Sequence, residues 1–308
     1  MENTKIIRLV NRNYRIVKTW LLKRPNFFLT KFFFNILSMF DRLLSGRNLT
    51  SLEIVSNLLW KQNYFAYWKE HSDNRFEIKT DYPAAFSSDD YKYPRGAIYD
   101  NSTNRRFNFK LYAMLELIDN ISLLDLGCAG GGLVRSMIED GHTAVGVDGS
   151  DISKKIRSGE WDTIPYHLFT CDITKPFSLL YRNGKKAIFD VITAWDVFEH
   201  IAENDLDLLI ENILRHIKVG GYLICSIDSW PDGNPITGAV YHKTLKPQKW
   251  WENIFKEKGF STVIEHHFEV RDMVRGNGES LKDWHPEDGG GFHLILQRNE
   301  TRKKDLKW

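Results

Sequence analysis

Cysteine is scarce. The 308 residues contain three, Cys128, Cys171 and Cys225, none of them in a C-x-x-C pair. That excludes a disulfide scaffold or a zinc-finger set, and the three read as small buried apolar residues in a reducing compartment. Long apolar runs are missing too. Residues 1–24 are studded with Lys and Arg, so no secretory signal is expected there. The most apolar stretch, residues 27–44, is interrupted by charge and falls short of the about 20 apolar residues a bilayer span needs. No internal repeat, low-complexity tract, P-loop, Ser–His–Asp order or zinc spacing is present. With 42% hydrophobic and 13% aromatic residues the chain can bury a sizeable core, which excludes a disordered or collagen-like protein.

The formal net charge of +2 conceals an uneven distribution. Residues 1–50 hold ten Lys/Arg against Glu2 and Asp41, a net +8, leaving −6 for the remainder. Between residues 27 and 44, Lys31, Asn35, Ser38 and Arg42 recur at helical spacing opposite Phe33, Ile36, Leu37, Phe40, Leu43 and Leu44. The spacing predicts an amphipathic helix. Residues 1–45 are therefore expected either to touch an anionic membrane surface or to pack on the body or on a second subunit. The expected location is cytoplasmic, peripheral at the inner face of the membrane if the first alternative holds.

From about residue 121 short apolar runs alternate with helical patterns. Strands are predicted at 122–126, 143–147, 167–171, 187–194 and 222–227, followed by a helix at 247–258, a strand near 262–270 and a last strand at 292–297. A helix is predicted at 105–119, and residues 271–291 read as a glycine-bearing loop. Alternation of this kind implies an α/β fold with a parallel sheet covered on both faces.

The strongest motif is Leu123-Leu124-Asp125-Leu126-Gly127-Cys128-Ala129-Gly130-Gly131-Gly132, an apolar strand entering a glycine-rich turn that opens a helix. Such a turn lets the backbone approach a ligand and aims helix N–H groups at it. Asp148 ends the next strand, 23 residues after Asp125, where a carboxylate can accept from ribose hydroxyls. Asp172 and Ile173 end the third strand, placed to accept from an adenine amine and to cover its ring. Trp195, Asp196, Glu199 and His200 follow the fourth.

This succession resembles the class I S-adenosylmethionine-dependent methyltransferases over roughly residues 95–298. The family commonly reads D-x-G-x-G-x-G at the first turn; here Ala129 replaces the middle glycine. The resemblance implies a Rossmann-like, doubly wound, seven-stranded, mostly parallel sheet with an antiparallel last strand. It also implies three segments: a basic, aromatic-rich helical N-terminal extension (1–94), the methyltransferase domain (95–300) and a charged tail (301–308). S-adenosylmethionine is the implied cofactor. Asp125, Gly127, Cys128, Ala129 and Gly131 would wrap its methionine part. Asp148 with Gly149 would hold the ribose, and Asp172 with Ile173 the adenine. Trp195 would lie beside the sulfonium, and Arg106 would meet the cofactor carboxylate.

Asp196, Glu199 and His200 stand at i, i+3 and i+4, so they are expected to share one helical face, with the distant His242 joining them. The set resembles the E-x-x-E-H plus distant His pattern of ubiquinone-biosynthesis and small-RNA-terminal O-methyltransferases. That resemblance implies Mg²⁺ or another divalent ion held by Asp196, Glu199, His200 and His242, with Asp196 in place of the first Glu. The alternative is that Glu199 and His200 shape the substrate wall without a metal. His200, Asp196 and His242 are the candidate catalytic residues.

Residues 95–108, the Glu199-His200 pair and residues 242–251 resemble methyltransferases of bacterial surface-polysaccharide gene clusters. The implied reaction is O-methylation of a sugar hydroxyl on a surface glycan or its precursor. The alternative is a quinone-type or secondary-metabolite small molecule. No nucleic-acid partner is expected, because the body is acidic and no N/D-P-P-Y run follows the fourth strand.

Overall fold

Residues 122–126 and 189–195 are mostly apolar and buried on both faces, the mark of strands with no solvent side. In the computed structural model they lie side by side at the centre of one sheet. The structure describes residues 49–91, 100–115, 119–273 and 290–300. The basic head (1–45), Arg95, most of the loop 271–291 and the tail 301–308 lie outside those residues.

The described chain falls into two compact units. One contains α1 (Leu49–Glu70). The other begins at Ser72 and holds all the strands. In it β1 (Phe76–Thr80) precedes α2 (Arg105–Met114), β2 (Ser122–Leu126), α3 (Gly132–Glu139), β3 (Thr143–Asp148) and α4 (Ile152–Ile156). Then come β4 (Leu168–Thr170), β5 (Phe177–Tyr181), β6 (Phe189–Trp195), α5 (Leu206–His216) and β7 (Ile217–Ile227). A short hairpin, β8 (Gly233–Asn234) and β9 (Ala239–Val240), leads to α6 (Gln248–Glu257), β10 (Phe260–Thr262) and β11 (Phe292–Arg298).

Seven strands form one sheet in the order β4-β3-β2-β6-β7-β11-β10. β2, β3, β4, β6 and β7 are mutually parallel, and β11 enters antiparallel to both β7 and β10. This is the predicted doubly wound sheet with an antiparallel last strand. Strand order reverses between β2 and β6, so their C-terminal tips flank the crevice where open α/β sheets bind ligands.

One face of the sheet carries Leu124, Leu126, Val145, Val147, Ile192, Ala194, Leu223 and Cys225 into a single buried cluster with Leu209, Ile210 and Ile213 of α5 and Trp251 and Phe255 of α6. Trp250 and Trp251 were expected to be core rather than a stacking platform. Trp251 is indeed fully buried, edge-on to Phe198 at 5.9 Å.

Three elements differ from the sequence reading. The helix predicted at 105–119 ends at Met114. The strand near 262–270 shrinks to β10, because only Phe260, Ser261 and Thr262 pair with β11 on this outer edge. Residues 76–80, placed by the sequence reading in a helical N-terminal extension (1–94), form β1 and pair antiparallel with β5, about a hundred residues on. No described helix is long and apolar enough to cross a membrane.

Trp251→Ala should lower unfolding free energy by about 3–5 kcal/mol, the usual cost of a large aromatic truncated in a packed core. Urea denaturation followed by circular dichroism would measure it, and a loss below about 1 kcal/mol would mean that α6 does not anchor the core.

Candidate functional site

The crevice begins where β2 ends. Gly127 has φ +71° and its N–H donates to Val147 O at 2.8 Å; a Cβ there would lie 2.4 Å from Val197 Cγ2. Gly131, at φ +84°, would drive a Cβ to 2.6 Å from Leu168 Cδ1. Only glycine fits either position. Ala129 also takes a left-handed conformation, φ +47°. Its N–H donates to Asp148 Oδ2 at 2.9 Å, and its carbonyl accepts from Trp161 Nε1 at 2.8 Å. The substitution in the motif is therefore accommodated by bonds that clamp the peptide, and the loop keeps its course.

Asp148 accepts one N–H on each oxygen, from Ala129 and, at 2.8 Å, from Ser150. A carboxylate has about four lone-pair sites, so capacity for ribose hydroxyls is left. Asp125 accepts from Thr193 Oγ1 at 2.7 Å. Asp172 commits Oδ1 to the N–H and hydroxyl of Thr174, at 2.9 and 2.6 Å, with Ile173 buried beside it. Cys128 is buried behind the loop, and Gly149 O accepts from Ala85 N at 2.8 Å. Trp195 ends β6 edge-on to Phe107, 5.2 Å away, with its indole Nε1 buried and without a hydrogen-bond partner among the described residues.

Arg106 is placed differently from the sequence reading. Its Nε donates to the buried Asp272 Oδ1 at 2.7 Å, and Glu269 Oε2 lies 3.9 Å from its guanidinium. The described partners of Arg106 are thus protein carboxylates.

Residues 196–200 are not one continuous helix, which corrects the expected shared helical face. Asp196 is left-handed at φ +51°, and only Phe198–His200 forms a single 3₁₀ turn. Asp196 is tied instead to β7: its N–H donates to Ser226 Oγ at 2.9 Å and its Oδ1 accepts from Ser226 Oγ at 2.5 Å.

The expected side chains nevertheless converge. The backbone N–H groups of Lys243 and Thr244 both donate to Glu199 O, at 2.6 and 3.0 Å, and Thr244 Oγ1 donates to Ile201 O at 2.7 Å. This zips residues 242–244 onto the 3₁₀ turn and sets the rings of His200 and His242 edge-on, 4.8 Å apart. One ligand-capable atom from each of Glu199, His200 and His242 lies within 4.8 Å of the others, and the same holds for Asp196, Glu199 and Asp228. Glu199 belongs to both groups. It is wholly buried, and among the described residues neither carboxylate oxygen has a hydrogen-bond partner.

A family model described as a methyltransferase domain matches residues 100–271, more than half of the chain. The chain belongs to that family.

The ubiquinone biosynthesis O-methyltransferase of Bartonella tribocorum is 32% identical to this methyltransferase over 168 residues, covering 48% of the chain and 62% of that protein. The protein of the same name from Pelagibacter ubique is 31% identical over 206 residues, covering 61% and 72%. The chain thus spans less than two thirds of the Bartonella relative. An S-adenosylmethionine-dependent methyltransferase structure from Clostridium acetobutylicum ATCC 824 is similar at a TM-score of 0.45 and 14% identity, over 68% of this chain and 96% of that one.

The methyltransferase crevice is electrostatically loaded. Burial pushes Asp125 up to about 7, helped by the charges of Asp100 and Asp148. Burial likewise pushes Asp148 up to about 6, against the pull of the Ser150 and Ala129 amides. Glu199 is held well above the usual carboxylate range by burial first, then by the charges of Asp196 and Asp228. A buried carboxyl without partners either keeps its proton or balances its charge with a cation. Two imidazoles beside it complete a mixed N/O donor set of the kind that suits a divalent transition ion, so Glu199, His200 and His242 fit one.

The sequence reading missed Asp228, which follows β7 and has no motif around it, and Asp90, whose Oδ2 lies 3.1 Å from His200 Nδ1. A position at a strand tip was the only signal for Asp228; Asp90 offered none.

With its folded pKa raised to about 7, Asp125 keeps a proton in the folded chain over a range where the unfolded chain has lost it. The stability this group contributes is present below the ordinary carboxylate pKa and is lost as pH rises through about 7. Ligand-free Asp125→Asn, which mimics the protonated form, should track wild type near pH 3 and exceed it at pH 8 by about 4 kcal/mol in urea denaturation. A difference independent of pH would contradict the raised pKa.

Proposed function

We propose that this methyltransferase holds S-adenosylmethionine in the crevice formed by residues 127–131, Asp148 and Asp172 and transfers its methyl group to a hydroxyl oxygen handled by Glu199, His200 and His242. The observation that carries the reading is the Glu199 carboxyl, buried without a partner beside two imidazoles at the tip of β6. A bound structural carboxyl would not be left in that state.

The donor half follows from charge. Burial first, and then the charges of Asp100 and Asp148, raise Asp125; a sulfonium and an ammonium entering among these acids would offset both, so a cationic ligand is favoured. Trp195 supplies a ring and a spare N–H at the strand tip next to them. Asp148 and Asp172 offer their remaining acceptor sites to ribose and adenine.

Transfer is in line. The methyl carbon leaves sulfur as its bond to the acceptor oxygen forms. The sulfur takes the electron pair and departs as a neutral thioether, and the hydroxyl proton passes to the His200 imidazole. The chain contributes alignment, exclusion of water and a proton acceptor, since the sulfonium needs no activation. Were Glu199, His200 and His242, with Asp196 as a further donor, to hold a divalent ion instead, His200 would no longer be the proton acceptor, and the ion would supply a lowered pKa for a hydroxyl near it.

For the acceptor we favour a small-molecule hydroxyl of the phenol type, supported by the 31–32% identity to proteins named ubiquinone biosynthesis O-methyltransferases. A sugar hydroxyl, the sequence expectation, would present the same oxygen to the same groups. A panel of dihydroxyphenyl compounds and nucleotide sugars, read by mass spectrometry for a gain of one methyl group, separates the two.

Calorimetric titration should show S-adenosylmethionine binding that weakens about tenfold or more in Asp148→Ala, through the loss of two or more hydrogen bonds to a charged acceptor. Glu199→Gln should retain cofactor affinity within about twofold yet lose about 100-fold in methyl transfer, the scale of a removed acid–base or cation-holding group. Full transfer by Glu199→Gln would remove the site from the chemistry. Absence of cofactor binding by the wild-type chain would end the reading altogether.

A further inference from the structure

Between α4 and β4 the chain makes a compact run of turns, with Trp161 N–H donating to Ser158 O at 3.3 Å and Ile164 N–H to Glu160 O at 2.8 Å. This run lies directly behind the glycine turn. Glu160 N–H donates to Gly130 O at 2.6 Å, and a Cβ on Gly159 would come within 2.7 Å of Gly130 Cα. Trp161, only 5% exposed, donates its indole Nε1–H to Ala129 O at 2.8 Å. Two consecutive carbonyls of the turn are thus held from a segment that lies about thirty residues further along the chain.

We propose that Trp161 is a positioning residue for the ribose end of the cofactor site: its indole N–H holds Ala129 in the left-handed conformation that a glycine would adopt unaided, and Ala129 in turn aims Asp148. The inference deepens the proposed function and rests on the same crevice.

A left-handed backbone is disfavoured by a factor of about 5 to 30 for a residue with a Cβ and hardly at all for glycine. At φ +47° Ala129 therefore needs a partner outside itself to stay where it is. Its two peptide groups are gripped from opposite sides, the N–H by Asp148 Oδ2 and the carbonyl by Trp161. The first bond is the one the site uses, since it fixes one oxygen of Asp148 while Ser150 N–H fixes the other. The other four N–H groups of residues 127–131 donate to backbone carbonyls, those of Val147, Asp100 and Cys128. Ala129 is thus the point at which the turn touches the ribose acid.

Were Ala129 to relax to a right-handed or extended conformation, its N–H would swing away from Asp148. The grip on its carbonyl prevents that. A phenyl ring at position 161 would fill most of the same space and supply no hydrogen, so the N–H, not the bulk, is what tryptophan adds there.

The test compares Trp161→Phe with the parent chain in two backgrounds, alanine and glycine at position 129, using the full-length protein. The lost hydrogen bond is missing from the free and the bound protein alike, so it cancels from an affinity and leaves the cost of restoring the turn. Calorimetry should show Trp161→Phe weakening S-adenosylmethionine binding about fivefold or more with alanine at 129, and less than about twofold with glycine there. Adenosine and 2′,3′-dideoxyadenosine, which lacks the hydroxyls offered to Asp148, separate aim from bulk. With alanine at 129, Trp161→Phe should cut the preference for adenosine by about fivefold. An equal loss in both backgrounds, or one shared equally by the two nucleosides, would overturn the assignment as the mark of a merely structural side chain.

Amide hydrogen exchange at residue 129 supplies a reading without any ligand. Trp161→Phe should speed it about fivefold or more when that residue is alanine and less than about twofold when it is glycine. Equal effects would again overturn the proposal. Trp161→Met, likewise without a donor, repeats the comparison if the phenyl variant does not fold, and failure of both to fold in either background would show a folding role and overturn it too. A wild-type chain that did not bind S-adenosylmethionine would sink the methyl-transfer reading, while exchange at residue 129 still decided whether Trp161 holds Ala129 on Asp148.

Discussion

Carboxylates crowd one edge of the sheet, and almost everything at the site answers to that crowding. Asp125, Asp148, Asp172, Glu199 and Asp228 are all buried, and Asp196 is only partly exposed. Like charges that are close together and poorly hydrated repel strongly. The chain satisfies Asp148 with two backbone amides, Asp125 with Thr193, Asp172 with Thr174 and Asp196 with Ser226. Two of the three described non-glycine residues with left-handed backbone, Ala129 and Asp196, occur where these bonds are made. Strain of this kind persists where surrounding structure over-determines it, and ligand sites are where it collects.

Glu199 breaks the pattern, and the crevice divides on it. On the side of β2, β3 and β4 the acids are partly satisfied and wait for a cationic ligand with hydroxyls and an amine to share. On the side of β6 and β7 the acid is unsatisfied and has imidazoles for neighbours. Family membership accounts for the first half, because a methyl donor is common to the family. The second half is where acceptors differ, so likeness to ubiquinone-biosynthesis enzymes bears on it only as far as its residues are shared. Residues 82–90 touch both halves, Tyr82 and Ala85 bonding to Asp172 and Gly149 through the backbone and Asp90 lying 3.1 Å from His200.

The central strands were legible because a strand buried on both faces must be an unbroken apolar run, and β2 was bounded correctly to the residue. The cofactor-binding candidates were legible because ligand contacts in this kind of sheet come from strand ends, which the sequence marks by an acid or a glycine after the run. Pairings between distant segments were not legible. β1 has ordinary strand composition in Phe76–Thr80, but its partner β5 lies about a hundred residues away, and nothing local names it.

Runs and intervals within short stretches of chain by themselves determined an α/β parallel sheet, the glycine turn and the acids at the tips of β2, β3 and β4, while the methyltransferase reading and the candidacy of Glu199, His200 and His242 came from resemblance to known families. Only the tertiary structure decided that Arg106 pairs with Asp272, that Asp196 is bound to Ser226 instead of sharing a helix with Glu199, and that Asp228 and Asp90 join the site. The reason is physical: a side chain's partner is fixed by which backbones pack together, and a residue without a periodic or motif context carries no record of that packing in its own neighbourhood.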